Sequence, residues 1–209
     1  MEFNLQFSVM VILALIIAIP VHEFAHALSA VNNGDDGPRR DGRLSIMPWD
    51  HFDPLGALFC VVSAVGGVGL GWGKPVMVNP GVLRNQRWDM CKIAAWGPFS
   101  NFLLAIGFAL LMRFGAASGE DMMWLLLWVC LKVNLSLMFF NLIPIGPLDG
   151  AKIVAAFLPD RQAYEFSRFS ERYGMIMLLG LITLGRPLLR LLVSGPASQL
   201  AQIMVPGVF

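Results

Sequence analysis

An uninterrupted apolar run over residues 9–20 most constrains what this chain can fold into, and it leads directly into the H-E-x-x-H sequence of His22, Glu23 and His26. The run has no polar face, and residues 5–31 exceed the roughly 20 apolar residues that cross a bilayer. An amphipathic helix at the surface of a soluble domain would instead alternate apolar and polar faces. We therefore predict a transmembrane helix over residues 5–31, with the two histidines near its end.

The composition indicates the same class of protein. Hydrophobic residues make up 56% of the 209 residues and charged residues only 14%, whereas about 25% of a soluble domain is charged. The net charge of +1 and the absence of a basic run argue against nucleic acid as a partner. Cys60, Cys91 and Cys130 show no C-x-x-C spacing, so we expect packing residues rather than disulfides or a cysteine metal site.

Further apolar segments predict an all-α integral membrane protein, a polytopic helical bundle. Residues 90–114 and 122–145 are long enough to span, and residues 173–193 return to the membrane. Residues 55–70 are apolar but short and glycine-rich, and residues 74–80 alternate like a brief strand. We interpret this part as a re-entrant or β-strand element beside a three-helix catalytic core, because irregular backbone is not tolerated against lipid. One membrane-embedded domain is expected over residues 1–209, with the core at about 5–150 and C-terminal membrane segments at about 173–209.

The positions of lysine and arginine predict the orientation, since cytoplasmic loops are enriched in both. The 115–121 turn contains neither residue type. The other two connections are basic, with Arg39, Arg40, Arg43, Lys74, Arg84 and Arg87 before the second span and Lys152, Arg161, Arg168 and Arg172 after Asp149. We expect a multi-pass protein of the cell membrane with its N-terminus outside and its active site toward the cytoplasm.

The H-E-x-x-H sequence predicts metal chemistry. On a helix, His22 and His26 are one turn apart and can bind one zinc ion while Glu23 lies beside it. A hydrolytic site needs a third protein ligand, which is either His51 or a carboxylate. Asp149 is the better candidate, because it stands at the end of a membrane segment at the matching depth. Glu23 would then be the general base of amide hydrolysis.

These segments resemble the site-2 protease family of intramembrane zinc metalloproteases, in particular its small bacterial branch without PDZ or CBS domains. The matching motifs, besides H-E-x-x-H, are His51-Phe52-Asp53-Pro54-Leu55-Gly56, Gly71-Trp72-Gly73-Lys74-Pro75-Val76, Val78-Asn79-Pro80, the G-P-x-x-N of Gly97 to Asn101, and an N-x-x-P-x-x-x-x-D-G that ends in Asp149-Gly150. The resemblance implies that His22, His26 and Asp149 bind Zn²⁺ and that Glu23 is catalytic. It also implies that transmembrane proteins are the substrates and are cleaved inside the bilayer.

Two alternatives stay open. A non-catalytic membrane protein could retain a structural or metal-handling zinc site, although such a site has no use for Glu23 beside an open coordination position. Asn101 and Asn141 are candidates for binding substrate or an oxyanion, and hydrogen bonding between helices is as good an explanation for each. His51 is expected to be a loop or capping residue rather than a ligand.

Overall fold

The computed structural model describes residues 5–54, 56, 58, 73–115 and 121–207, and within these ranges the regular structure is helical, with no strand. The helices are α1 (Leu5–Asn32), α2 (Gly37–Arg40), α3 (Gln86–Phe114), α4 (Met122–Asn141), α5 (Asp149–Phe157), α6 (Asp160–Thr183), α7 (Arg186–Leu189) and α8 (Gly195–Met204). Short 3₁₀ turns occupy Pro48–His51 and Pro80–Val82. The prediction of an all-α protein is confirmed for the described part of the chain.

Three of these helices, α1, α3 and α4, are long and apolar enough to cross a membrane, so the chain is a multi-pass membrane protein. The helix bounds differ from those predicted. Helix α3 starts at Gln86 rather than at residue 90, because the Asn85 side chain caps it by accepting a hydrogen bond from Trp88 N. Helix α4 ends at Asn141 rather than at residue 145, because Pro144 cannot supply the backbone N–H that a further turn requires.

The three spanning helices share one core. Small and aliphatic side chains of α1, among them Ala14, Leu15 and Ala18, pack against Val129 and Cys130 of α4. Helix α3 runs antiparallel to α1, since Ala18 pairs with Asn101 and His26 pairs with the earlier Ile93. The chain therefore leaves α1 and enters α3 at the same face of the bundle, so both ends of the 33–85 connection lie at that face.

The C-terminal part packs on the far side of α4. Helix α8 places Ala197 and Ala201 against Leu131 and Leu135, and Lys132 donates a hydrogen bond to the hydroxyl of Ser198. Helix α6 and the segment from Arg186 to Met204 meet at an angle of 87°, so together they are a broken span or a re-entrant loop. The bend lies within the predicted membrane segment 173–193, at Gly185-Arg186-Pro187.

The predicted re-entrant element falls mostly outside the described residues, which include only Gly56 and Leu58 between residues 55 and 72. The strand predicted after it does not form within the described part: residues 73–79 have no regular secondary structure. The backbone N–H groups of Val76 and Asn79 donate to side chains, and that of Lys74 donates to a loop carbonyl.

Candidate metal centre

Three buried side chains from two helices converge at the face of the bundle where α1 ends. His22 and His26 lie one turn apart on α1, and Asp149 is the first residue of α5. The two Nε2 atoms are 3.0 Å apart, and each is 3.2 Å from Asp149 Oδ2. Each residue is 7% exposed or less. The structure thus brings together the three residues that were expected to form one site, across 123 positions of sequence.

The other nitrogen of each imidazole is held by an acceptor. His22 Nδ1 donates to the side-chain oxygen of Asn101, and His26 Nδ1 donates to the backbone carbonyl of Ile93, both at 2.7 Å. A neutral imidazole that donates from Nδ1 has its lone pair on Nε2. Two nitrogen lone pairs and one carboxylate oxygen can therefore face one point, an arrangement that suits a cation between them.

The donor set fits zinc. Two ligands that each lie about 2.0–2.1 Å from a tetrahedral zinc ion are roughly 3.3 Å apart, and the three atoms here are separated by 3.0–3.2 Å. Nitrogen and oxygen donors with the second imidazole nitrogen hydrogen-bonded are typical of zinc centres. Among the described residues, these three are the one group of histidine, cysteine, aspartate and glutamate side chains that could hold a metal ion.

His51 is not part of this group. It is 1% exposed, and its Nε2 donates to Ser45 O at 2.7 Å. Its carbonyl accepts a hydrogen bond from Lys74 N at 2.8 Å. His51 therefore connects two loops, as expected for a loop residue rather than a metal ligand.

Gly97 of α3 lets that helix contact the imidazoles. A Cβ atom at this position would collide with Cε1 and Nε2 of His26 and would lie 2.7 Å from His22 Cε1. Helix α3 thus forms one wall of the site with its backbone, and this close approach also brings Ile93 O and Asn101 within hydrogen-bonding distance of the rings. The glycine was noticed in the sequence as part of G-P-x-x-N, but its contact with the histidines was not predicted.

Glu23 lies beside this centre and is half-buried. Its Oε2 accepts a hydrogen bond of 3.1 Å from the backbone N–H of Val76. Gly73 also approaches the base, because a Cβ on it would lie 3.7 Å from Glu23 Cγ. Residues 73–76 therefore line the side of the site that Glu23 occupies, a contact that no local sequence pattern predicts.

Asn101 is placed behind His22 and is fully buried. Its amide nitrogen donates to Ala18 O at 3.2 Å and to Asn134 Oδ1 at 3.0 Å. With its oxygen on His22 and both N–H groups used, Asn101 hydrogen-bonds between helices rather than presenting a donor to a substrate. Asn141 donates to Leu137 O one turn earlier in its own helix and remains partly accessible, so its role as a substrate-binding residue stays a prediction.

Two further residues at the centre were not predicted. Asn134 accepts the hydrogen bond of Asn101 and donates to Cys130 O at 2.9 Å, which extends the polar chain from His22 into α4. Lys152 lies one turn after Asp149, and its Nζ is 3.6 Å from Asp149 Oδ1, the carboxylate oxygen that faces away from the imidazoles. An asparagine within an apolar span is the sequence signal that could have indicated the first of these.

Comparison with known proteins agrees with this arrangement. Residues 111–184 match the model of Peptidase family M50, a stretch that includes Asp149. The chain is 34% identical over 178 residues to "Putative zinc metalloprotease YwhC" of Bacillus subtilis (strain 168), an alignment that covers 80% of this chain and 77% of the relative. No solved structure matches the chain.

More distant relatives carry similar names. Proteins named "Putative zinc metalloprotease Rip2" are 26% identical in Mycolicibacterium smegmatis and 29% identical in Mycobacterium tuberculosis H37Rv, in each case over 144 residues, 68% of this chain and 54% of the relative. The alignment with the Bacillus protein covers more than two thirds of both chains. The predicted kinship is thereby confirmed, and the chain belongs to peptidase family M50, the family of the site-2 proteases.

Proposed function

We propose that this chain is an intramembrane zinc metalloprotease that hydrolyses peptide bonds in the transmembrane helices of membrane-protein substrates, as in regulated intramembrane proteolysis. His22, His26 and Asp149 hold the zinc ion, and Glu23 is the general base. One observation carries the proposal: three donor atoms of a hydrolytic zinc site converge within 3.2 Å, and two of them lie on a helix that is apolar enough to span a bilayer. The names of the relatives support zinc and proteolysis in general terms.

A zinc ion at this position would supply Lewis acidity, which polarises a carbonyl group and makes water a better acid. The protein supplies the remaining parts. Asn101 and the carbonyl of Ile93 hold the two imidazoles in the tautomer that leaves Nε2 free. Because Glu23 Oε2 is engaged by Val76 N–H, we assign proton transfer to Oε1: it takes the proton of the attacking water and later delivers a proton to the leaving amine.

A peptide bond within a transmembrane helix is protected by hydrogen bonds of the helix itself. The substrate must therefore be held in an extended form before its carbonyl can react. We assign this role to residues 55–80, as a re-entrant element whose extended end at residues 74–79 offers a backbone edge to the substrate. The position of Val76 next to Glu23 supports this assignment.

The same geometry, combined with the charge of the loops, supports the proposed orientation. Asp149 and the end of α1 share one face of the bundle, and the 33–85 connection begins and ends there. The basic residues of that connection and of the segment after Asp149 favour the cytoplasmic side for this face. We therefore place the active site toward the cytoplasm and the N-terminus outside.

The proposal is tested with Glu23→Gln. The variant should keep the wild-type fold and zinc content, because Glu23 is not a ligand, and should cleave a helical membrane reporter at less than about one hundredth of the wild-type rate, since a general base contributes 10²–10⁴-fold. Removal of zinc by a chelator should abolish cleavage by the wild-type protein, and added zinc should restore it. A wild-type protein that binds zinc and cleaves no reporter would instead support the non-catalytic alternative.

A further inference from the structure

Residues 73–79, which have no regular secondary structure, run beside Glu23 and are hydrogen-bonded at their far end to a buried carboxylate. Val76 N donates to Glu23 Oε2 at 3.1 Å, and three residues later Asn79 N donates to Asp35 Oδ2 at 2.7 Å. The same stretch of backbone therefore bonds the proposed general base and Asp35. Whatever fixes Asn79 limits how far Val76 can move away from Glu23.

Asp35 is suited to such a fixed attachment. It is 3% exposed, and both of its oxygens are used, since Oδ1 accepts a hydrogen bond from Gly37 N at 2.9 Å. No lysine, arginine or histidine in the described part of the chain forms an ion pair with it. A buried carboxylate with only backbone N–H partners is costly to displace, because displacement would leave charge without hydrogen bonds.

Asp35 is also tied rigidly to α1, the helix that carries Glu23. Gly34 adopts φ = +107°, Gly34 N donates to Val31 O at 3.1 Å, and Asp35 N donates to Ala30 O at 3.0 Å. This is the Schellman arrangement at a helix C-terminus, which needs glycine for its left-handed residue. The backbone of Asp35 therefore continues the end of α1, and both attachment points of residues 76–79 belong to one helix and its cap.

We propose that Asp35 is a positioning residue for catalysis: it fastens residues 73–79 to the end of α1, so that Val76 N–H holds Glu23 Oε2 and leaves Oε1 to accept the proton of water. This inference rests on the proposed function, because the group that is positioned is Glu23 in its role as general base. His51 assists at the other end of the segment through its carbonyl, which accepts from Lys74 N.

The chain offers a matched control in the next residue. Asp36 has the same charge, but its side chain is 58% exposed and pairs with Arg39 alone among the described groups. Asp35→Ala should lower kcat by about tenfold or more, since small misplacements of a catalytic group cost this much, while zinc content stays at the wild-type level and KM changes less than kcat. Asp36→Ala should leave all three quantities unchanged. The substrate probe is a single apolar helix with a fluorophore and a quencher at its ends, in liposomes.

A second variant removes the hydrogen-bond donor instead of Asp35. Val76→Pro lacks the N–H that faces Glu23, and Pro75 before it can adopt the extended backbone that a residue preceding proline requires. If Asp35 acts through this N–H, the double variant Asp35→Ala/Val76→Pro will be no slower than the slower single variant. Losses that multiply would show that Asp35 acts elsewhere and would overturn the inference. Asp35→Asn keeps one acceptor oxygen and should fall between wild type and Asp35→Ala.

A readout independent of catalysis separates the two proposals. Met77 is 75% exposed, so a spin label can be attached to Met77→Cys after replacement of Cys60, Cys91 and Cys130. The label should become more mobile when Asp35→Ala is added and not when Asp36→Ala is added. If the wild-type protein cleaves nothing but Asp35→Ala still mobilises the label, the proposed function is refuted. The attachment of residues 73–79 to Asp35 is then still supported. An active wild type in which Asp35→Ala matches Asp36→Ala in both rate and mobility would refute this inference alone.

Discussion

The side-chain oxygen of Asn101 accepts a hydrogen bond of 2.7 Å from His22 Nδ1, so a residue of α3 sets the tautomer of an imidazole on α1. Asn101 is itself held by Ala18 O and Asn134 Oδ1. The chain of hydrogen bonds is buried throughout, where polar groups without partners are costly. The asparagine therefore orients the histidine, and this relationship leads to the first prediction.

Asn101→Leu should lower the affinity for zinc by about 10–100-fold, the usual effect of removing the partner of a metal-bound histidine. The reason is that His22 Nδ1 loses its acceptor and its ring loses a fixed orientation. Zinc affinity is measured by competition with a chelator of known affinity. Asn141→Leu serves as the control, because Asn141 bonds only its own helix at Leu137 O. Equal affinities in the two variants would contradict the orienting role.

Gly97→Ala should disrupt the centre although it adds one methyl group. The new Cβ would collide with the His26 ring and lie 2.7 Å from His22 Cε1, so α3 or the imidazoles must shift, at a cost of about 1–3 kcal/mol typical of overpacking. We expect reduced zinc content and reduced cleavage. Gly107→Ala, in the same helix with no atom within 4 Å of its Cβ, should retain both. A Gly97→Ala protein with the zinc content of the wild type would show that α3 does not contact the imidazoles of the zinc-bound protein as described.

Asp149→Ala should reduce zinc occupancy sharply, whereas His51→Ala should leave it nearly unchanged. Asp149 Oδ2 lies 3.2 Å from both Nε2 atoms, and His51 bonds Ser45 O instead. Occupancy is measured by metal analysis of the purified variants. The reverse result would place His51 in the ligand set and remove Asp149 from it.

Single cysteines at Arg39 and Arg84, in a protein without Cys60, Cys91 and Cys130, should both react with an impermeant thiol reagent from the cytoplasmic side only. The two positions flank the proposed re-entrant element, and both side chains are exposed. Labelling is scored in intact cells and in inverted vesicles. If position 84 reacted from outside while position 39 reacted from the cytoplasm, residues 55–80 would cross the membrane and the proposed topology would fail.

Much of the fold could be predicted because the membrane imposes a simple rule. A helix that faces lipid needs a long apolar stretch, and residues 5–31 show it without any knowledge of their neighbours. The ends of the spans were less predictable. Asn85 and Pro144 decide where α3 starts and α4 stops, and the effect of each depends on local caps and turns that extend a few residues beyond the apolar run.

The site divides in the same way. His22, Glu23 and His26 were predictable from their spacing, because a helix places residues i and i+4 on one face. The hydrogen-bond partners of the two Nδ1 atoms and of Glu23 Oε2 were not predictable. Ile93 O, Asn101 and Val76 N–H reach the site only through the packing of α1, α3 and the 73–79 segment.

By itself the sequence determined a membrane protein with a pair of histidines at the end of its first span, because hydrophobicity and helical periodicity are local properties of the chain. The sequence favoured Asp149 over His51 as their partner, but only the tertiary structure decided the geometry in which Asp149 meets the histidines. It alone also decided that Gly97 lets α3 contact their rings and that Asp35 holds the backbone beside Glu23. Each of these contacts joins residues more than 40 positions apart, and its geometry depends on the antiparallel register of packed helices, which no local pattern specifies.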